Sequence, residues 1–298
     1  MTPSKTPVVC FGEVLWDKLP GGMMPGGAPM NVAVHLNQLG ISAAIISRVG
    51  NDALGDDIVR YIAGKGVDTS YIQADDVYPT GTVDADTSDP KDVKYTINAP
   101  VAWDFISGDD DLENAITGSQ VLLYGSLASR NEISAATLER LLRRAAYCVF
   151  DVNLRTPHYT PDRIEQLMKA AHMVKMNDAE LTLISSWYSG STDVAEQMEE
   201  LSKRFQLQTL CVTFGDQGAK LLENGHLYSH RGYTVEVADT IGSGDAFLAA
   251  LLTQRLGNRP PESRLKYACA VGAYVASQVG ATPVITEQVI QEILLTDY

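Results

Sequence analysis

Two glycine-rich segments of this chain lead into apolar helix patterns, and each carries a polar side chain suited to chemistry. In the later segment, Asp239-Thr-Ile-Gly-Ser-Gly-Asp245, Gly242 and Gly244 allow a tight turn with bare N–H groups. The helix that follows adds unpaired donors and a positive dipole end, so the segment could hold a phosphate. Asp245 lies in the first turn, where it either caps the helix or accepts a proton from an attacking hydroxyl.

The earlier segment is Gly26-Gly-Ala-Pro-Met-Asn31, with Asn31 in the opening turn of the next helix. Bare backbone and one amide suit the hydroxyls of a polyol. Upstream, Asp17 follows an apolar strand pattern and could accept two hydroxyl hydrogen bonds, as sugar sites often require. Taken singly, each of these residues fits a cap or a turn better than a sugar site.

Several other signatures fail. The segment Gly50–Gly55 has the glycine spacing of a P-loop, but Asp56 and Asp57 stand where Lys and Ser or Thr are required. Gly242-Ser-Gly244 resembles the start of a dinucleotide fingerprint, but Phe247 occupies the place of the third glycine. There is no G-x-S-x-G or H-E-x-x-H motif, and the five histidines lack ligand spacing. P-loop, Rossmann, hydrolase and zinc chemistry are therefore disfavoured.

The charge composition of the chain limits the classes of binding partner. The 298 residues include 23 basic and 37 acidic side chains, for a formal charge of -14. This charge argues against a nucleic-acid surface and against anchoring on anionic membranes. An anionic substrate would need local compensation from Lys, Arg, backbone donors or a divalent cation.

The cysteines and the N-terminal residues of the chain predict the cellular compartment of the protein. Cys10, Cys148, Cys211 and Cys269 are far apart in apolar settings, which favours buried reduced thiols in a cytoplasmic protein. The polar start of the chain lacks the apolar core of a secretory signal, and no run approaches a membrane span.

The hydrophobic pattern predicts an α/β fold with a mostly parallel sheet between helix layers. Six short apolar runs are predicted as its strands: 8–11, 43–46, 120–124, 147–150, 173–176 and 210–213. A further strand is expected at 233–238, directly before the later glycine segment. Residues 12–27 and 80–104 do not fit the alternation of strands and helices. They predict a small β lid, or alternatively an ordinary surface hairpin. One domain over 1–298 is expected.

Together the two glycine segments resemble the two signatures of the PfkB carbohydrate kinases, a family of the ribokinase-like superfamily. The first matches over its length, with Gly40 and Gly50 at the family spacing. The second matches with Ile241 and Ser243 at variable positions. Asn177-Asp-Ala-Glu180 resembles the N-x-x-E element of the family, and the run 213–218 resembles its T-x-G-x-x-G element. The resemblance implies a three-layer ribokinase-like sandwich with a small β-sheet lid.

The resemblance also implies how phosphoryl transfer would occur. Asp245 would be the catalytic base, and the amides around Gly242, Ser243 and Gly244 would form the anion hole. Because a helix N-terminus stabilises a carboxylate, we expect Asp245 to be a weak base that takes its proton late in the reaction. Arg155 would lie near the phosphates and compensate charge; alternatively, it pairs with a surface acid.

The other matched residues would bind the substrates and metals. The sugar would be held by Asp17, Gly26, Gly27 and Asn31, with Trp103 as a further wall from the lid side. ATP and water-bound Mg²⁺ would lie near Asn177, Glu180, Thr213, Gly215, Gly218, Gly244 and Gly272. Asp239 and Thr240 match a monovalent-cation site that binds K⁺ in many relatives.

Gly12-Glu-Val-Leu-Trp-Asp17 and Asp151-Val-Asn-Leu-Arg155 look most like the fructokinase branch. The leading expectation is an ATP-dependent kinase of D-fructose. Two alternatives stay open: a kinase of ribose, 2-keto-3-deoxygluconate or another sugar or sugar acid, and a catalytically silent sugar-binding protein. A homodimer through the lid is also consistent with the sequence.

Overall fold

A computed structural model describes residues 6–19, 21–86, 94–188 and 190–296, which form an α/β structure with one large and one small sheet. The strands are β1 (Val8–Phe11), β2 (Leu15–Leu19), β3 (Gly22–Gly26), β4 (Ala43–Gly50), β5 (Ile72–Asp75), β6 (Gly81–Asp86), β7 (Lys94–Ile97), β8 (Val121–Gly125), β9 (Cys148–Asp151), β10 (Met173–Asn177), β11 (Thr209–Thr213), β12 (Ala219–Glu223) and β13 (His226–His230). The helices are α1 (Ala28–Gln38), α2 (Ala53–Gly64), α3 (Asp110–Gly118), α4 (Glu132–Leu142), α5 (Pro161–Ala170), α6 (Asp178–Ser186), α7 (Val194–Phe205), α8 (Ser243–Leu256), α9 (Pro261–Ala276) and α10 (Glu287–Leu294).

The large sheet has the order β13-β12-β11-β10-β9-β8-β1-β4-β5 within the described residues. All six predicted strands belong to it, and their mutual pairings are parallel, which confirms the α/β prediction. Alternate residues of β1 face opposite helix layers: Val8 and Cys10 pack with α1, α2, α8, α9 and α10, whereas Val9 and Phe11 pack with α3 to α7. Burial on both faces explains why these strands read as continuous apolar runs.

The strand predicted at 233–238 is wrong. Residues 231–242 lie outside the strands, after β13 has ended at His230. The amides of Ala238 and Asp239 instead donate to the carbonyl of Ala276 at the end of α9, at 2.9 and 3.2 Å. The alternating apolar pattern is therefore satisfied by a helix terminus, and the later glycine segment is positioned against α9.

The small sheet has the order β3-β2-β6-β7 and consists of the two segments predicted to form a lid. Strand β2 pairs antiparallel with β3 and parallel with β6. The predicted turn between β6 and β7 lies at 87–92, outside the described residues.

Close packing at the base of the small sheet explains the P-loop-like glycine spacing. A Cβ at Gly55 would lie 2.2 Å from the carbonyl oxygen of Gly50, so a side chain cannot fit there. Asp52 caps α2 by accepting from the Gly55 amide at 2.8 Å, and its other oxygen accepts from the Thr80 amide at 2.9 Å. These glycines therefore join α2 to the residue that precedes β6.

The prediction of buried cysteines outside disulfides is confirmed for all four in the described structure, whereas the cytoplasmic location stays a prediction. Burial raises the pKa of the Cys10 and Cys148 thiols, which makes them unreactive. Across the described parts of the chain, no helix is long and apolar enough to cross a membrane.

Candidate active site

Strand order predicts where a ligand crevice should lie. From β1 the chain continues to β4 on one side, whereas β8 lies on the other side, so strand order reverses between β1 and β8. Open α/β sheets bind ligands at the carboxyl ends of their strands beside such a switch point. We call this side of the large sheet the carboxyl edge. The helices α1 and α8, which follow the two glycine segments, both begin there and pack against each other.

The two glycine segments meet through one hydrogen bond. Asn31 Nδ2 donates to Asp245 Oδ2 at 2.8 Å, although 214 residues separate them in the chain. Asn31 is buried, and its own Oδ1 has no hydrogen-bond partner among the residues that the structure describes. The residue predicted to grip a sugar therefore contacts the residue predicted to accept the proton.

The glycines of both segments are required by close contacts. A Cβ at Gly26 would lie 2.4 Å from Asp17 Oδ2, and one at Gly27 would lie 2.3 Å from the carbonyl oxygen of Glu13. Gly242 has a φ of +76°, and a Cβ there would lie 2.3 Å from the carbonyl oxygen of Ala281. The bare backbone of each loop is thus fixed by its surroundings, and Asp17 lies directly over Gly26.

Our expectation for the basicity of Asp245 is wrong in sign. Burial, together with the nearby charge of Asp151, raises the pKa of Asp245 to about 6. Lys175, the Asn31 hydrogen bond and Arg155 oppose this rise. Desolvation therefore outweighs the stabilisation expected from the first turn of α8. Asp245 is still ionised at neutral pH, but it is a stronger base than the helix position alone predicts.

Lys175 is the residue that our sequence interpretation missed. It is buried in β10, its Nζ lies 3.1 Å from Asp151 Oδ1, and a Cβ at Gly244 would lie 3.1 Å from the same Nζ. Although burial alone would lower it, the charges of Asp151, Asp245 and Glu180 raise the pKa of Lys175. A lysine inside a strand that is otherwise apolar was the available signal, since such positions are seldom charged without a partner.

Asn177 and Glu180, the two residues predicted to lie near Mg²⁺ and the phosphates, form a capping box. Asn177 caps α6 by accepting from the Glu180 amide at 2.8 Å, and Glu180 Oε2 accepts from the Asn177 amide at 2.9 Å. Glu180 Oε1 also accepts from the Leu154 amide at 2.7 Å. Burial raises the pKa of Glu180, and the charge of Asp151 adds to the rise. Both residues lie at the carboxyl edge, where β10 ends.

The residues predicted for the nucleotide lie at neighbouring strand ends. Thr213 is the last residue of β11, and Gly215 follows with a φ of +58°. A Cβ at Gly218 would lie 2.0 Å from the carbonyl oxygen of His230, so this glycine packs against the end of β13. Gly272 lies in α9, where an added Cβ would meet Phe247 of α8 at 3.4 Å.

Arg155 and Trp103 differ sharply in exposure. Arg155 is exposed, and its guanidinium donates to the carbonyl of Leu154 at 3.3 Å. Among the described residues no acid forms an ion pair with it, so the surface-pair alternative gains no support. Trp103 is fully buried beneath the guanidinium of Arg130, 4.0 Å from its ring. It presents no surface to the crevice in this conformation.

The carboxylate of Asp239 organises the later glycine loop. Its Oδ1 accepts from the Ile241 amide at 3.0 Å, and its Oδ2 accepts from the Gly280 amide at 3.2 Å. The carbonyl of Thr240 accepts from the Ser243 amide at 3.3 Å. The assignment of Asp239 and Thr240 to a monovalent cation stays a prediction.

Negative charge exceeds positive charge at the carboxyl edge. Asp151, Glu180 and Asp245 surround the buried ammonium of Lys175, and within the described ranges Asp151 Oδ2 is buried without a hydrogen-bond partner. In the described part of the chain no group of three His, Cys, Asp or Glu side chains is arranged to hold a metal. Carboxylates of this kind would suit a Mg²⁺ that keeps its waters and is shared with phosphates, and the assignment of Glu180 and Asn177 to it stays a prediction.

A cavity with a different lining is separate from this crevice. It has a volume of about 560 Å³ and is lined mainly by the lid exit, the start of α4 and the loop before α5, including Pro100, Arg130, Asn131 and His158. None of the predicted site residues lines it. Its arginines are already paired, Arg130 with Asp104 and Arg163 with Glu139. Volume alone therefore does not identify the reactive site, whereas the meeting of the two glycine segments does.

Comparison with known proteins agrees with this geometry. Residues 18–288 match the model of the pfkB family carbohydrate kinases. A fructokinase of Klebsiella pneumoniae is 32% identical over 267 residues, covering 85% of each chain. One of Escherichia coli is 31% identical over 256 residues, covering 82% of each. The crystal structure of a Vibrio cholerae fructokinase, bound to fructose, ADP and calcium, superposes with a TM-score of 0.84 at 26% identity, covering 98% of this chain and 100% of that one. With the ribokinase fold and both signature loops in place, this chain belongs to the pfkB family of carbohydrate kinases.

Proposed function

We propose that this carbohydrate kinase transfers the γ-phosphoryl group of ATP to a hydroxyl of D-fructose. The observation that carries the proposal is the 2.8 Å hydrogen bond from Asn31 to Asp245, which joins the two glycine segments into one site. The fructokinase relatives at about 30% identity favour fructose among the sugars.

In this proposal the sugar lies on the earlier glycine segment. Asp17 and Asn31 hold its hydroxyls, with the bare backbone of Gly26 and Gly27 beneath the ring. Burial raises the pKa of Asp17, and the charge of Arg155 opposes that rise. The reacting hydroxyl points toward Asp245, which accepts the proton as the new bond forms. A loose transition state needs little activation of the nucleophile, so a carboxylate with a pKa of about 6 suffices.

The transferring phosphoryl group lies at the N-terminus of α8. The amides that follow Gly242, including those of Ser243 and Gly244, stabilise its charge, and Lys175 lies directly behind Gly244. Arg155 supplies a further positive charge from the open side of the crevice. Mg²⁺ bound near Glu180 would neutralise charge on the nucleotide phosphates.

The nucleotide would extend from the phosphates toward α9. Thr213, Gly215 and Gly218 would border it on the sheet side, and Gly272 would lie near the adenine. Asn177 would orient waters of Mg²⁺, and the loop of Asp239 and Thr240 would hold K⁺.

The small sheet acts as a lid over the sugar in this proposal. Its base is anchored by Trp16, whose Nε1 donates to the carbonyl of Leu54 at 3.0 Å, and by the contact of Asp52 with Thr80. Met23 and Met24 on β3 are 39% and 43% exposed. Since β3 ends the small sheet among the described residues, a second copy could pair with this edge. Light scattering of the purified protein would test for such a dimer.

One observation favours a second acceptor class. The exposed guanidinium of Arg155 could bind the carboxylate of a sugar acid such as 2-keto-3-deoxygluconate in a bidentate way. Arg155→Lys would then raise the KM for the acid more than the KM for fructose.

The deciding experiment is an ADP-release assay with fructose, ribose, glucose, 2-keto-3-deoxygluconate and nucleosides, with and without Mg²⁺. We expect Mg²⁺-dependent turnover, fastest with fructose. Preference for ribose or the sugar acid would replace fructose as the substrate. Calorimetric sugar binding without turnover on any acceptor would instead identify a silent binding protein.

A further inference from the structure

Helix α1 lacks a cap of its own. Its N-cap residue is Gly27, which has no side chain, and its first turn contains no acidic residue. The missing acceptor comes from Glu13, which precedes β2: its Oε1 accepts from the Ala28 amide at 3.3 Å. A carboxylate is the preferred partner of a helix N-terminus, so Glu13 replaces the absent cap from a distant part of the chain.

The other oxygen of Glu13 makes no hydrogen bond to any described residue. Glu13 is 4% exposed, so this Oε2 is buried without a partner in the described part of the chain. A buried carboxylate oxygen left unpaired is costly when it is charged, so this position favours a proton.

Charged groups reach Glu13 from two other elements. Burial raises the pKa of Glu13 to about 7, with the Arg155 charge and the Ala28 amide opposing the rise and the Asp245 charge adding to it. Asp245 belongs to α8, and Arg155 follows β9. Asp245 itself faces Asp151, Lys175 and Arg155.

We propose that Glu13 is a positioning residue of the acceptor site, which caps α1 and holds an exchangeable proton whose loss or gain acts on the charge of Asp245. The cap fixes the first turn of α1, where Asn31 holds Asp245. When Glu13 loses this proton, its carboxylate repels the carboxylate of Asp245, because repulsion between two carboxylates is mutual. The inference rests on the proposed role of Asp245 as the proton acceptor.

Two substitutions separate the cap from the charge. Glu13→Gln keeps an oxygen for the Ala28 amide but removes the titrating group. Glu13→Asp keeps the charge but withdraws the carboxylate from Ala28. We expect Glu13→Gln to keep the sugar KM within about twofold, and Glu13→Asp to raise it about fivefold, the effect of losing one helix-cap hydrogen bond.

The direct readout is the carboxyl ¹³C resonance of Asp245 in the sugar-free protein, assigned with Asp245→Asn. In the parent it should titrate in two steps, its own near pH 6 and a smaller one near pH 7 from Glu13. Glu13→Gln should leave only the first step, whereas Glu13→Asp should keep both. Glu223→Gln, which alters a carboxylate at the other end of the sheet, should keep the parental curve.

Two results would overturn the inference: a second step that persists in Glu13→Gln, or equal KM changes in the two Glu13 variants. A purely structural Glu13 would lower the thermal midpoint without altering the Asp245 titration. If the parent phosphorylates no sugar, the proposed function fails, but the titration still tests Glu13. If Glu13→Gln does not fold, Glu13→Asp alone remains decisive, since it must combine a higher KM with an unchanged two-step curve.

Discussion

The two ends of the large sheet bury charge in opposite ways. At the carboxyl edge, Asp151, Glu180 and Asp245 surround one ammonium, that of Lys175. At the amino ends of the parallel strands, Glu223 lies between two arginines: Arg264 Nη2 is 2.9 Å and Arg255 Nη1 is 3.6 Å from the same Oε1.

The sign of the excess charge distinguishes the carboxyl edge, where we place the reaction, from the structural cluster around Glu223. The one carboxylate of Glu223 has two arginine partners. One of them, Arg255, also lies over the ring of Tyr147, 4.4 Å from its centre. Such a network joins α8 and α9 to the sheet. At the carboxyl edge the surplus is negative, and the pKa values of Asp245 and Glu180 are raised. Acids that are held above their usual pKa values in a crevice are typical of catalytic sites.

The largest expected effect follows from removing the buried cation of the carboxyl edge, Lys175. Lys175→Met leaves Asp151 buried without its partner, so the free energy of unfolding in urea should fall by about 3–5 kcal/mol. Adding Asp151→Asn to this variant should restore much of the stability, because the uncompensated charge is removed. A single Lys175→Met variant as stable as the parent would show that the ammonium does not balance these acids.

Glu223→Gln is the matched control at the other end of the sheet. It should also lower stability, because two buried or half-buried arginines lose their acid. The kcat of the folded protein and the pH dependence of kcat/KM should stay parental. A changed pH profile in Glu223→Gln would remove the functional distinction between the two edges.

The next effect tests Asp245 directly. Asp245→Asn keeps an oxygen that can accept from Asn31 but cannot take a proton, so kcat should fall by about 10²-fold or more. The Kd for the sugar, measured by calorimetry, should change little. Turnover near the parental rate would exclude Asp245 as the proton acceptor.

Much of this site was predictable because parallel strands bring their carboxyl ends to one edge. The six apolar runs were sufficient to predict the large parallel sheet, and residues 12–27 and 80–104 predicted the small one with a surface hairpin as the alternative. That Asn31 and Asp245 belong to one site was implied only by the family resemblance. The local hydrophobic pattern gave a wrong prediction where an element distant in the chain supplied the hydrogen-bond acceptor. The run 233–238 alternates like a strand, but its last amide donates to the end of α9.

Charge effects were the least predictable part. The position of Asp245 in a helix N-terminus was readable from sequence, and it predicts a weak base. The opposite shift arises from burial by elements far along the chain, and from Asp151, whose distance from Asp245 only the fold determines. Lys175 was readable as an anomaly in β10, but its partner was not.

The smallest expected effect is the acid limb of the pH profile. Asp245 must be ionised to accept a proton, and its pKa is raised to about 6, so protonation below that pH removes the active form. The profile of kcat/KM should therefore fall about tenfold per pH unit below pH 6, where an unshifted aspartate would retain activity to about pH 4. Glu223→Gln should show the same limb, because its charge lies at the opposite end of the sheet. A limb near pH 4 in the parent would mean that burial at the carboxyl edge does not govern Asp245, and the contrast between the two edges would then rest on charge count alone.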